Sequence, residues 1–282
     1  MKAIAQFIMR GRIEAAGAVF AGAILPLMQW LSVSAVALVL LRKGIGEGSV
    51  LAAWGFILAA IAYYYENNPG NMLLILGTVL LALILRISVS WELTLLAAVL
   101  VGGLNGWLFE ILAPEYLVQA TQFLEKLLAQ QMNEGASVPG SSELAGYVML
   151  GQTWAMLVFL IVARYWQALL YNPGGFQQEF HSLKLSPMMT AGLMLAAVLP
   201  VVFMGEGAVI YIQLVTIPLV LCGLGFAHWL IRFEGLGSAW IWLLYGSLIF
   251  LNVVVYPLVL LVAVLDSWID LRARIRKKRE QG

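Results

Sequence analysis

RYWQALLYNPGGFQQEFHSLKLSP, residues Arg164 to Pro187, closes one long apolar run and precedes another. It therefore reads as the junction between two membrane spans. It holds an arginine inside an apolar run, an aromatic cluster, a sharp turn and a short amphipathic segment. Arg164 lies about two turns before its helix ends. One reading lets its side chain reach the interface beside Tyr165, Trp166 and Tyr171. The other makes it an inward cation that pairs with an acid, Glu206 or Glu110, or with an anionic ligand. Gln167 and Tyr171 share its face at three- and four-residue steps. Asn172, Pro173, Gly174 and Gly175 stop the helix, because proline cannot continue it and glycine accepts positive φ. Phe176, Phe180 and Leu183 then line one face of a short interfacial helix. His181 reads as a solvated loop residue.

Composition supports the membrane reading. Of 282 residues, 62% are hydrophobic and 11% charged, against roughly 25% charged in a soluble domain. A chain this apolar cannot cover itself with polar surface, so lipid must be its solvent. A net charge of +1 gives no sign of a nucleic-acid partner. The single cysteine, Cys222, excludes an intrachain disulfide framework or a cysteine metal site. The first apolar run is long and leads into further spans, so it reads as a retained helix rather than a cleaved signal.

The expected fold is all-α: a polytopic membrane bundle of about eight transmembrane helices in one domain, residues 1–282. The spans are about 13–41, 50–65, 72–85, 91–112, 144–171, 188–204, 208–231 and 239–265. An amphipathic helix is expected over 114–132, where Leu117, Phe123, Leu124, Leu128 and Met132 recur at helical spacing. Ser90 and Ser186 are expected N-caps, with Pro187 in the first turn of its helix. In the first run Gly17 and Ala21, and Ala18 and Gly22, recur at four-residue spacing. Such a face admits close approach of another helix, within the chain or from a separate subunit.

Cytoplasmic flanks carry the excess of Lys and Arg. Both termini are basic, which places both in the cytoplasm and demands an even number of spans. Eight full spans nevertheless put Arg42, Lys43, Arg86, Lys184 and Arg232 on the far side. If the first run folds back at Pro26 and the last near Asn252, nearly every basic loop becomes cytoplasmic. Each half then holds about 14 residues, short of the roughly 17–25 needed to cross. Full spans are favoured here, because helix length is a harder limit than charge bias.

The YNPGGF segment, the following EF and leucine-rich turn, and the closing stretch from Tyr256-Pro257 to Leu271 resemble the YybS-like proteins, a bacterial membrane family. That resemblance implies a distant relation to the substrate-binding subunits of energy-coupling-factor transporters. Those subunits dock their coupling partner through small residues on the first helix. Gly17, Ala18, Ala21 and Gly22 would be the counterpart here.

Unsatisfied polar groups in hydrocarbon cost several kcal/mol, so they should meet each other or a ligand. The ligand-binding candidates are therefore Asn105, Gln152, Arg164, Glu206, Gln213, His228 and Asn252. Asn105 is equally read as making an interhelical hydrogen bond. His181 and His228 are the only histidines and lack metal-ligand spacing, so no metal is expected. No P-loop, Gly-x-Ser-x-Gly or zinc-protease motif is present, and no cofactor is expected. The leading expectation is a small-molecule-binding transport component of the bacterial inner membrane. The competing ones are a scaffold that recruits other membrane proteins, and an enzyme on a lipid-linked substrate using Glu110, Glu206 or Asp266. The expected partners are membrane lipid, other membrane proteins and a small-molecule ligand.

Overall fold

The computed structural model describes residues 1–25, 27–131, 138–204 and 207–281. Every regular element among them is a helix, and six are long and apolar enough to cross a bilayer. The chain divides into two compact units, Met1–Pro173 and Gly174–Gly282.

The first unit contains α1 (Lys2–Arg10), α2 (Arg12–Ile24), α3 (Gln29–Lys43), α4 (Ile45–Glu66), α5 (Gly70–Ser88), α6 (Trp91–Leu112), α7 (Pro114–Gln131) and α8 (Ser141–Tyr171). Its centre is α3, in which every residue from Ser32 to Leu41 is buried. α3 runs parallel to α5. The Gln29 amide bonds Asn71 in the first turn of α5, and Arg86 in its last turns donates to the carbonyls of Leu40 and Leu41 at 3.2 and 2.6 Å. Small residues set the other contacts. A Cβ on Gly102 would lie 2.1 Å from the Thr153 hydroxyl, and one on Gly106 2.6 Å from Met149 Cβ. The four-residue glycine spacing on α6 therefore seats the matching spacing on α8. Ser90 caps α6 as expected, accepting from the Leu93 amide at 3.2 Å.

The single spans expected over 13–41 and 239–265 are each broken into two helices. α2 and α3 form an antiparallel hairpin. Gly22, near the end of α2, is so close to α3 that a Cβ there would meet the Ser32 amide nitrogen at 2.4 Å. At the hairpin's open end Arg12 reaches Glu47, just past α3, at 3.5 Å. Leu27 takes φ of 61° in the reversal; Pro26 lies outside the described residues. At 1.5 Å per residue the two arms rise about 20 and 23 Å. That is less than the roughly 30 Å hydrocarbon core, yet Gln29 brings the tip level with the start of α5.

This fold-back gathers five of the unit's cations. Arg12, Arg42, Lys43, Arg86 and Arg164 all fall at one end. Lys43 joins Arg12 on Glu47, at 2.9 Å. The Arg42 guanidinium sits over the Tyr171 ring at 3.9 Å, and Gln167 donates to the Leu41 carbonyl at 3.3 Å. The opposite end carries Glu66, Glu110, Glu115 and Glu143. There α7 begins as expected and packs its first turns on the bundle through Leu117, against Leu73, Phe109 and Ala145. Farther along, Phe123 and Leu127 are exposed. Met132, expected to close the amphipathic helix, lies outside the described residues.

The second unit contains α9 (Gly175–His181), α10 (Pro187–Met204), α11 (Ala208–Phe233), α12 (Ala239–Phe250), α13 (Asn252–Ile269) and α14 (Leu271–Gln281). Its centre is α11, buried from Thr216 to Phe226. Gly223 admits the Val259 carbonyl of α13, and Gly225 the Phe180 carbonyl of α9; a Cβ at either would come within 2.5 Å of that oxygen. The last apolar run breaks at Leu251, which leaves helical geometry with φ −122° and ψ 33°. Its amide still closes α12 on the Ser247 carbonyl, while its own carbonyl accepts from Val254 and Val255 to open α13. Ser186 bonds the Met189 amide at 3.4 Å and so caps α10, as expected.

Candidate functional site

Of the expected ligand-binding residues in the first unit, Asn105 and Gln152 come together. Buried Asn105 donates from Nδ2 to the Leu73 carbonyl at 3.1 Å and to Gln152 Oε1 at 3.4 Å, beside Met156 Sδ at 3.6 Å. The pair ties α5, α6 and α8 and satisfies itself, which is the interhelical reading of Asn105. Arg164 donates to Gln167 Oε1 at 2.5 Å, on the shared face the sequence indicates. Gln167 in turn serves the end of α3. Its partner there is an orphan carbonyl of the last turn, where cations and donors are favoured. Gln152 and Arg164 stand twelve residues apart on α8, about 18 Å, so they belong to different sites.

In the second unit Gln213 is exposed on α11, and Asn252 is exposed at the first position of α13. His228 is hydrogen-bonded to the Tyr245 hydroxyl at 3.1 Å and meets Phe180 edge-on at 5.3 Å. These three residues do not converge. Glu206 lies outside the described residues.

The small-residue face of α2 divides. Ala18 and Gly22 are buried in the hairpin, whereas Gly17 is exposed, with nothing within 4 Å of where its Cβ would be. Ala21 is half-buried. The Asn172–Gly175 turn forms as expected. The Asn172 amide closes α8 on the Ala168 carbonyl at 2.8 Å, and Gly174 takes φ of 88°. Of the carboxylates considered for catalysis, Glu110 and Asp266 are engaged elsewhere. Exposed Glu110 accepts from the Ser142 hydroxyl at 2.7 Å, and Asp266 is buried in an ion pair. Among the described residues no group of three His, Cys, Asp or Glu side chains could hold a metal.

Two sites are new relative to the sequence. The first is a pocket of about 90 Å³ at the basic end of the first unit, between the α2–α3 hairpin and α4. Arg12, Lys43 and Glu47 form its polar rim, and Val39, Leu51 and Trp54 its apolar wall. The second is a buried polar lock in the second unit. Asp266 Oδ2 meets Arg272 Nη1 at 2.8 Å, and Asp266 Oδ1 accepts from the Arg272 amide at 3.2 Å. Arg272 Nη2 donates to the Leu183 carbonyl at 3.1 Å. Beside it Ser267 donates to the Leu185 carbonyl at 3.0 Å and accepts from Thr190 at 2.9 Å. Burial pulls the Arg272 guanidinium below its usual pKa, opposed first by Asp266. Asp270, which bonds the Ala273 amide at the start of α14 and lies 3.2 Å from Lys184, is held below the usual carboxylate range.

The lock starts a ladder. Arg272, Arg276 and Arg279 of α14 lie over the rings of Phe226, Trp229 and Phe233 of α11 at 5.4, 5.6 and 4.8 Å. Matching spacings in the sequence, i, i+4, i+7 for the arginines and i, i+3, i+7 for the rings, are the signal that could have found it.

The all-helical bundle and its six long apolar helices define the class, a multi-pass membrane protein. Beyond that class, the chain matches no known family model, no curated protein and no solved structure.

Proposed function

We propose that the protein is a bacterial inner-membrane transport component that binds a small molecule in its first unit, with both termini cytoplasmic. The observation that carries the reading is the pocket beside the α2–α3 hairpin. It combines two cations, one carboxylate and an indole at the rim of an apolar wall, which suits a small amphiphile with an anionic group. A broken helix beside the pocket fits the discontinuous helices around transporter sites. The reading moves the site from the dispersed polar residues of the sequence to Arg12, Lys43, Glu47 and Trp54.

Orientation follows from charge. In the first unit the fold-back puts Arg42, Lys43 and Arg86 at the same end as Arg12. The positive-inside rule makes that end cytoplasmic. The likeness to YybS-like proteins belongs to the same reading, and the exposed Gly17 face of α2 would be the docking side for a coupling subunit. That face and the apolar surface of α7 around Phe123 also favour a scaffold as the second reading.

Native mass spectrometry and thermal unfolding of the purified protein against a metabolite panel test the proposal. A retained small anion that raises Tm, with the shift lost in Lys43→Ala and Trp54→Ala, supports it. Stoichiometric co-purification of another membrane protein, with no retained small molecule and no Tm shift, overturns it in favour of the scaffold.

A further inference from the structure

The ladder between α14 and α11 fixes which way every cation of the C-terminal helix faces. At 100° per residue, Arg272, Arg276 and Arg279 fall within a narrow stripe, and that stripe lies on α11. The Arg279 guanidinium also donates to the Phe233 carbonyl at 2.7 Å, and Arg272 is held by Asp266 and Leu183. Arg274, Lys277 and Lys278 then fall on the opposite side of the helix. All three are exposed, and the Arg274 Nε donates to the Ile269 carbonyl at 2.9 Å. No carboxylate of α14 lies between them.

The depth of this face in the membrane follows from α11. Its 26 residues rise about 39 Å, more than the roughly 30 Å hydrocarbon core. The turns around Phe233 therefore stand in the headgroup layer. α14 lies beside these turns and runs parallel to them, since Arg272 meets Phe226 and Arg279 meets Phe233. Trp268, just before α14, and Trp240, just after α11, are exposed at the same end, as in an aromatic belt.

We infer that the outer face of α14, carried by Arg274, Lys277 and Lys278, binds the headgroups of anionic phospholipids. The inner arginines hold the helix upright against α11, so the outer cations are presented sideways at headgroup depth. Placement within the lipid layer selects lipid over soluble polyanions. Each cation near an anionic surface is worth about fivefold in affinity, and the effect fades with salt.

The test uses the full chain in a neutral detergent. Native mass spectrometry would follow binding of phosphatidylglycerol and phosphatidylcholine to the natural protein and to Lys277→Ala/Lys278→Ala. The account expects preference for phosphatidylglycerol at low salt, roughly 25-fold weaker in the double variant and kept in Lys277→Arg/Lys278→Arg. Thermal unfolding in phosphatidylcholine should be the same for all three proteins, because neither lysine touches α11. Equal binding of the two lipids, or a preference unchanged in the double variant, overturns the inference. So does inorganic phosphate displacing the lipid at millimolar concentration, which would mark a free-anion site. Tighter binding of a short RNA than of phosphatidylglycerol through the same lysines also overturns it.

Discussion

Arg272 meets Asp266 at 2.8 Å with both side chains almost wholly buried. Pulling one partner from such a pair leaves a buried charge uncompensated, which costs about 3–5 kcal/mol, whereas replacing both is far milder. Arg272→Met is therefore expected to destabilise the protein by that amount, and Asp266→Asn/Arg272→Met by much less than the sum of the singles. Thermal unfolding of Arg272→Met, Asp266→Asn and the double variant checks this. Additive losses would mean that the two side chains stand independently.

Arg86 acts on α3 without touching any acid among its described contacts. It donates to the carbonyls of Leu40 and Leu41 at the helix end, of which Leu40 also accepts from the Gly44 amide, and hydrogen bonds from charged donors are worth about 1.5–3 kcal/mol. Arg86→Gln should lose roughly that much stability, and Arg86→Lys less. Denaturation in a fixed detergent reads the difference. Equal losses for the two would argue against a charge-assisted cap.

Gly102 and Gly106 should tolerate no side chain, since Thr153 and Met149 fill the space. Gly102→Val is expected to cost more than the 1–3 kcal/mol usual for overpacking, because the obstacle lies on a packed helix. Gly17→Ala, with open space around it, is expected to be neutral or slightly stabilising. The contrast is read from Tm. A Gly17 variant as damaging as Gly102→Val would contradict the placement of α2.

His181 gives the second unit a pH dependence. Burial holds its pKa below the ordinary value, with His228, Arg272 and Arg232 adding their effect. The unfolded chain then takes up the proton first as pH falls below about 6.5. Stability from this group is complete above that value and declines toward the folded-state pKa. His181→Gln should flatten the decline below about pH 6.5. A stability profile unchanged by the substitution would remove His181 as its source.

Much of the local structure is legible in the sequence. Ser90 and Ser186 announce their helices, the NPGG segment ends α8, and the pattern after Pro114 gives α7. Those signals act over a few residues. The fold-back of the first run is not decided locally, because a long span and a hairpin of two shorter helices share one composition. Charge bias already pointed to the hairpin; the helix-length limit, applied to each arm alone, pointed away. Packing of α3 on α4, α5 and α8 decides between them. Asp266 and Arg272 escaped notice for a related reason. A carboxylate followed by a basic run reads as a solvated tail until the aromatic stripe of α11 is placed beside it.

The doubling back of residues 12–43 carries the account, and cysteine accessibility tests it most directly. In a Cys222→Ala background, Ala3→Cys and Ile45→Cys are labelled in intact cells and in inverted vesicles with a membrane-impermeant maleimide. The hairpin predicts that both sites react from the same side, the cytoplasmic one. Labelling from opposite sides would show that the run crosses the membrane once, and would contradict the arrangement described.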